Sequence, residues 1–107
     1  VAPWKSVYKT HFLLNSDITF VLTNGGHNTG IVSEPGREGR SYRISQRKRT
    51  DHYLDPKTWL DQTQPQPGSW WTAWNEFLVK ESSATKVAPP VINKKLPPAP
   101  GEYVLQK

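Results

Sequence analysis

With 107 residues, 14 Lys and Arg against 9 Asp and Glu, and no cysteine, the chain has room for one domain. The lack of Cys excludes a disulfide framework, thiolate zinc sites and a cysteine nucleophile supplied by this chain. No window approaches the ~18 apolar residues of a membrane span, and neither a signal-peptide pattern nor any Met is present, which leads to the expectation of a piece of something longer.

In chain order, Pro3 to Leu14 is predicted to be a helix, with Pro3 in the first turn and Trp4, Val7, Tyr8 and Phe12 forming its apolar stripe. Asn15-Ser16-Asp17 ends it as a polar turn. The β-branched and aromatic run Ile18 to Thr23 is predicted to be a strand. Both of its faces carry apolar residues, which suggests a parallel strand covered on two sides, within a sheet larger than the chain supplies. Asn24-Gly25-Gly26-His27-Asn28-Thr29-Gly30 follows as a glycine-rich loop. Ile31-Val32 reads as a short turn or strand, and Tyr42 to Ser45 as a short edge strand.

Asp55-Pro56 is a cap followed by a first-turn proline, opening a helix through Trp59 and Leu60 to Gln62. Pro65 and Pro67 stop it. Ser69 then caps a third helix to about Glu81, with Trp70, Trp74, Phe77 and Leu78 on one face and Trp71 beside it. At helical spacing these aromatics are expected to be core rather than a ligand platform. From residue 82 onward, Pro89, Pro90, Pro97, Pro98 and Pro100 dictate an extended tail, in which Gly101 to Leu105 is apolar enough to dock. The division is therefore 1–81 as folded unit and 82–107 as tail.

The net charge of +5 is local: residues 37–49 hold Arg37, Arg40, Arg43, Arg47, Lys48 and Arg49 against Glu38 alone. Such a run binds nucleic acid or an anionic surface in one reading, and is a solvated surface loop in the blander, preferred one.

His27 is the position with chemical promise. A strand ending in a glycine-flanked His sets an imidazole at a sheet's carboxyl edge, where open α/β folds keep their sites. In α/β-hydrolase-type enzymes the order is nucleophile, acid, then His, so the His comes last. The plainer reading is a turn histidine bonded to a backbone carbonyl. Its catalytic partners are missing. Gly39-Arg40-Ser41-Tyr42-Arg43 lacks the second glycine of a nucleophile elbow, and Ser41 follows the His. Asp17 is at the other end of the strand, ~20 Å away by strand rise. Asp51, Asp55 and Asp61 are better read as loop and cap residues. His11, His27 and His52 have no metal-ligand spacing, so no metal site is expected.

Thr19 to Val32, which contains Asn24-Gly25-Gly26-His27-Asn28, resembles the histidine-loop motif of the polyhydroxyalkanoate synthases, or poly(3-hydroxybutyrate) polymerases. Pro67-Gly68-Ser69-Trp70-Trp71 with Trp74 is similar to the family's GSWW element, and Ala99 to Val104 to its closing element. Ala2-Pro3-Trp4 resembles the segment after the family's catalytic Asp, whereas 36–49 is the least family-like stretch.

The resemblance implies the carboxy-terminal piece of an α/β-hydrolase-type domain: helix, late parallel strand, His loop, two helices and tail, with an incomplete sheet. It implies an acyltransferase with a Cys-His-Asp triad that polymerises (R)-3-hydroxyacyl-CoA into polyester and releases CoA. His27 would be the general base, with Asn24, Gly25, Gly26 and Asn28 shaping its loop, while Cys and Asp lie upstream. No cofactor is implied. The implied partners are the acyl-CoA, the growing polyester, a second copy of the chain and the surface of cytoplasmic polyester granules, without nucleic acid. The alternative is a non-catalytic module using residues 37–49 on nucleic acid or an anionic surface.

Overall fold

The computed structural model describes residues 3–92, 95 and 97–107, so Ala2 of the opening motif and three positions of the tail lie outside the described residues. The order is α1 (Trp4–Tyr8), α2 (Thr10–Leu13), β1 (Ile18–Thr23), β2 (Ser41–Arg47), α3 (Pro56–Gln62), β3 (Gln66–Pro67) and α4 (Trp71–Lys80). A single 3₁₀ turn, Tyr103–Leu105, closes the tail.

The three strands form one antiparallel sheet in the order β1-β2-β3. This corrects the expectation of a parallel β1: its neighbour is β2, with Ile18 opposite Arg47, Phe20 opposite Ser45 and Leu22 opposite Arg43. Apolar character on both faces reports two-sided cover, and it does not set strand direction. The register puts Arg43, Ser45 and Arg47 on the same sheet face as Ile18, Phe20 and Leu22. Tyr42 to Ser45, expected at an edge, belongs to the longer central strand.

On that face the core is aromatic. Tyr8 and Trp59 are buried, and both pack against Phe20, at ring-centroid distances of 5.2 Å each. Tyr8 Oη donates to the Leu54 carbonyl at 2.9 Å, and Trp59 Nε1 donates to Ser45 Oγ at 2.6 Å. The predicted helix over 3–14 is broken at Lys9 into α1 and α2. Thr10 Oγ1 donates to the Val7 carbonyl at 2.6 Å, a side-chain bond that competes with the backbone ladder. Tyr8 and His11 consequently face inward, stacked at 4.1 Å, while Val7 and Phe12 of the expected stripe are exposed.

Two residues of the basic stretch, Arg43 and Arg47, are built into this face, while Arg37, Lys48 and Arg49 stay exposed as expected of a solvated run. Arg43 Nη1 donates to the carbonyls of Leu60, at 3.1 Å, and Thr63, at the end of α3. Arg47 Nη1 donates to the His11 carbonyl at 2.8 Å, in the last turn of α2. Terminal helix carbonyls lack intrahelical partners and carry negative dipole charge, so a guanidinium satisfies both requirements.

The opposite sheet face, with Val21 and Ile44, meets α4 across an open groove of about 570 Å³ that Trp70, Trp74 and Phe77 also line. The α4 aromatics are thus not core in this chain. Trp74, Phe77 and Leu78 are 46%, 41% and 46% exposed. Ile31-Val32 forms a turn, and the apolar tail segment lies exposed instead of docking as a strand or cover.

Candidate active site

The β1–β2 connection, residues 24–40, carries His27 near its start. Its neck is closed by Asn24, whose Oδ1 accepts the Ser41 N–H at 2.9 Å and whose Nδ2 donates to the Gly39 carbonyl at 2.8 Å. The Asn24 N–H donates to the Ser41 carbonyl at 3.1 Å, extending the β1–β2 ladder by one residue. Ser41 is thereby a strand-end residue held by its backbone.

Beyond the neck the chain turns tightly. Gly25 has φ +108°, a region that side-chain-bearing residues rarely adopt. The Gly26 N–H donates to Thr29 Oγ1 at 3.0 Å, and the Gly30 N–H to the Gly26 carbonyl at 3.3 Å. Both the Ile31 and Val32 N–H groups reach the Asn28 carbonyl, at 3.1 and 2.7 Å. Gly30 is buried against β1, where a Cβ would come within 2.8 Å of the Asn24 carbonyl oxygen. His27 sits at the tip of this turn, exposed and without a hydrogen-bond partner among the described residues. The imidazole is therefore free for a group outside the loop.

The trailing limb is tied down from another element. Trp70 and Trp71 both donate their indole N–H to the Ile31 carbonyl, at 2.9 and 2.8 Å, and Ser69 Oγ donates to the buried Ser33 carbonyl. Ser69 also accepts the Trp71 N–H at 3.1 Å, from one position ahead of the N-cap Trp70 rather than from the cap position the sequence suggested. Gly68, at φ +97°, donates its N–H to the Arg40 carbonyl at 2.7 Å, closing the far end of the same loop. Sequence reasoning missed these indole anchors; spacing within one helix says nothing of a partner thirty-nine residues away.

Asp17, Asp51 and Asp55 serve structure, whereas the Asp61 carboxylate makes no hydrogen bond among the described residues. Asp17 Oδ1 accepts the Arg49 N–H at 2.8 Å, and Asp51 Oδ2 the Lys48 N–H at 2.8 Å. Asp55 caps α3 by accepting the Lys57 and Thr58 N–H groups, and the Thr58 hydroxyl on its carboxylate leads the causes that hold its pKa below the ordinary value. Among the described residues no three His, Cys, Asp or Glu side chains gather as a metal site. In the basic run Arg37 faces Glu34 at 3.8 Å on the surface, and Arg43 and Arg47 are committed to helix ends.

The structure defines a small α/β unit: an antiparallel sheet whose first strand hands over to a hydrogen-bonded loop presenting one unengaged histidine. Known proteins align with all of it. The chain is 34% identical, over its whole length, to 19% of poly(3-hydroxyalkanoate) polymerase 2 of Ectopseudomonas oleovorans. It is 31% identical, again over its whole length, to 18% of a poly(3-hydroxyalkanoate) polymerase subunit of Cupriavidus necator, and 31% to 18% of the polymerase of Methylorubrum extorquens. Over its whole length the chain is thus similar to poly(3-hydroxyalkanoate) polymerases. It spans about a fifth of the length of the curated relatives it matches. No family model and no solved structure matches it.

Proposed function

We propose that this chain is the carboxy-terminal part of a polyhydroxyalkanoate synthase with an α/β-hydrolase-type catalytic domain, and that it supplies the histidine of a Cys-His-Asp triad. Residues 1–81 complete that domain and 82–107 form its tail. The reaction is acyl transfer: a cysteine elsewhere in the full-length protein attacks the thioester of a (R)-3-hydroxyacyl-CoA and CoA leaves. The 3-hydroxyl of the next unit then attacks the acyl-enzyme, and the polyester grows.

His27 takes the thiol's proton and passes it to the departing CoA thiolate; it then takes the proton of the attacking hydroxyl and returns it to the cysteine as the ester forms, acting as general base and acid. Asn24, Gly25, Gly26 and Asn28 set the turn that aims it. The observation that carries the reading is the exposed, unengaged imidazole at the tip of a loop closed at neck and limb by hydrogen bonds. A histidine with a structural task would be bonded within the fold, as His11 is through Nδ1 to the Tyr8 carbonyl at 2.9 Å. The partners of this proposal are those the resemblance implies: acyl-CoA, the growing polyester, a second copy of the enzyme and the surface of granules in the cytoplasm.

The test is His27→Ala in the full-length polymerase, followed by CoA release. Removal of a positioned base lowers turnover at least ~100-fold while the melting temperature holds. Turnover within tenfold of wild type overturns the assignment.

A further inference from the structure

The amino end of α4 converges on the histidine loop in a way that helix amphipathicity does not produce. Adjacent residues on a helix project about 100° apart. Yet the indole N–H groups of Trp70 and Trp71 meet on one oxygen, that of Ile31, at 2.9 and 2.8 Å. A carbonyl oxygen has two lone pairs and accepts both. Burial is a weak reason for paired tryptophans here, since Trp71 is 37% exposed. Ser69 and Ser33, whose side chain–carbonyl bond lies alongside, are 5% and 1% exposed.

The tether acts within one turn of His27. The N–H groups of Ile31 and Val32 are bonded back to the Asn28 carbonyl, and that of Gly30 to the Gly26 carbonyl. Movement of Ile31 therefore drags the residues on both sides of His27. The Gly25 and Gly26 flank contributes little stiffness of its own, because glycine backbones sample more conformations than others.

We propose that Trp70 and Trp71 are positioning residues for His27, pinning the Ile31 carbonyl between two indole N–H donors so that the loop tip holds one geometry. Ser69 secures the next residues through Ser33. The inference rests on the reading of His27 as general base, and it adds that the loop's competence is set by donors on α4. Because the two indoles share one acceptor, either alone retains the tether. The losses are therefore non-additive.

The experiment uses the full-length polymerase with Trp70→Phe, Trp71→Phe and the pair, and with Trp74→Phe as a control for aromatic bulk. Each single change is expected to lower kcat less than about 3-fold. The double change lowers it about 10- to 100-fold with KM within about twofold, the scale of misplacing a reacting group by about 1 Å. Hydrogen exchange in peptides covering residues 24–33 rises in the double variant and not in Trp74→Phe. In a His27→Ala background the double change has no further effect on residual turnover.

Unchanged exchange in the double variant overturns the tether. Raised exchange with kcat within twofold of wild type overturns the positioning role. An equal fractional loss in the His27→Ala background also overturns it, because the residues then act on stability at large. If the double variant does not fold, Ser69→Ala removes one tie without aromatic volume and gives the same direction at smaller size; no change in exchange there overturns the proposal. High turnover of His27→Ala defeats the general-base reading by itself, and the exchange measurement, which needs no turnover, still decides the tether.

Discussion

Asn24 and Ser41 hold each other by two bonds, the Asn24 N–H on the Ser41 carbonyl at 3.1 Å and the Ser41 N–H on Asn24 Oδ1 at 2.9 Å. The pair turns the end of a β-ladder into the clasp of the histidine loop. Asn24→Ala keeps the first bond and loses the second, together with the Nδ2 bond to Gly39. Two neutral hydrogen bonds at an exposed site contribute about 1–2 kcal/mol. Denaturant unfolding is expected to show that loss, with faster exchange of the Ser41 amide. An unchanged midpoint would mean that the ladder closes the loop without the side chain.

The two glycines flanking the turn fail differently when a methyl group is added. At Gly25 the cost is mainly the left-handed backbone, about 1–2 kcal/mol, because the nearest atom to a Cβ, Arg40 Nη1 at 2.5 Å, ends a flexible side chain. At Gly30 a Cβ meets Thr23 Oγ1 at 2.5 Å and the Asn24 carbonyl oxygen at 2.8 Å, on a strand that cannot retreat. Gly30→Ala is expected to cost about 1–3 kcal/mol by overpacking. Adding Arg40→Ala should recover part of the Gly25→Ala loss and none of the Gly30→Ala loss, in a double-mutant cycle read by thermal unfolding. Equal recovery at both would contradict this division.

Arg43 and Arg47 show where sequence reasoning was blind. Charge density made residues 37–49 look like a solvated loop, yet Ser41, Arg43, Ser45 and Arg47 alternate with Tyr42, Ile44 and Gln46 at strand period. That signal gave Tyr42 to Ser45 as a short edge strand, and the basic residues around it hid the strand's full length, Ser41–Arg47. What the sequence does not contain is the destination of the guanidiniums, because the ends of α2 and α3 reach them only through tertiary folding. Replacing either arginine by Ala is expected to cost about 1.5–3 kcal/mol, the range for hydrogen bonds from charged groups. Arg49→Ala, whose exposed side chain lies on the surface, should stay within about 0.5 kcal/mol. If instead Arg43→Ala and Arg47→Ala leave stability intact and weaken retention on an anionic resin, the basic-module reading returns.

Other elements were readable because their cause is local. Asp55-Pro56 predicted the start of α3, and the structure shows the carboxylate on two backbone amides. Ile18 to Thr23 was bounded correctly, since β-branched residues and the following glycines mark both ends. The direction of its neighbour was not legible, for that depends on residues distant in the chain, from Tyr42 opposite Thr23 to Arg47 opposite Ile18. The histidine loop was placed by its glycines, whereas its anchors on α4 were read only as apolar rings.

Tyr8 supplies a pH dependence whose sign is fixed by burial. Desolvation raises its pKa, Tyr53 and Asp55 add to the rise, and Arg47 opposes it. The neutral phenol is therefore favoured more in the folded chain than in the unfolded one. Its contribution is complete below the ordinary value of about 10 and is lost as pH rises through the higher folded value. Tyr8→Phe should flatten the decline of melting temperature above about pH 10. The same variant lowers stability by about 1 kcal/mol at neutral pH through the lost bond to Leu54. A decline equally steep in both proteins would assign it to another group.

The last prediction concerns residues 1–107 by themselves. A compact domain of this length has a radius of gyration near ~13 Å, whereas this chain has 18.9 Å. Its buried apolar residues among those described are Tyr8, Tyr42 and Trp59, while Trp74, Phe77 and Leu78 line an α4 face that is more than 40% exposed at each position. Among the described residues β1 is paired only with β2, so its other edge carries unpaired backbone groups. An apolar helix face and an open strand edge in one small unit are both templates for association. Static light scattering is expected to show a mass that rises with concentration. Trp74→Lys with Phe77→Lys should shift that rise to higher concentration by covering the helix face with charge, leaving the weaker strand-edge contact. A chain that stays monomeric at every concentration and unfolds cooperatively would mean that the aromatic cluster around Tyr8 and Trp59 suffices as a core, and that neither surface needs a neighbour.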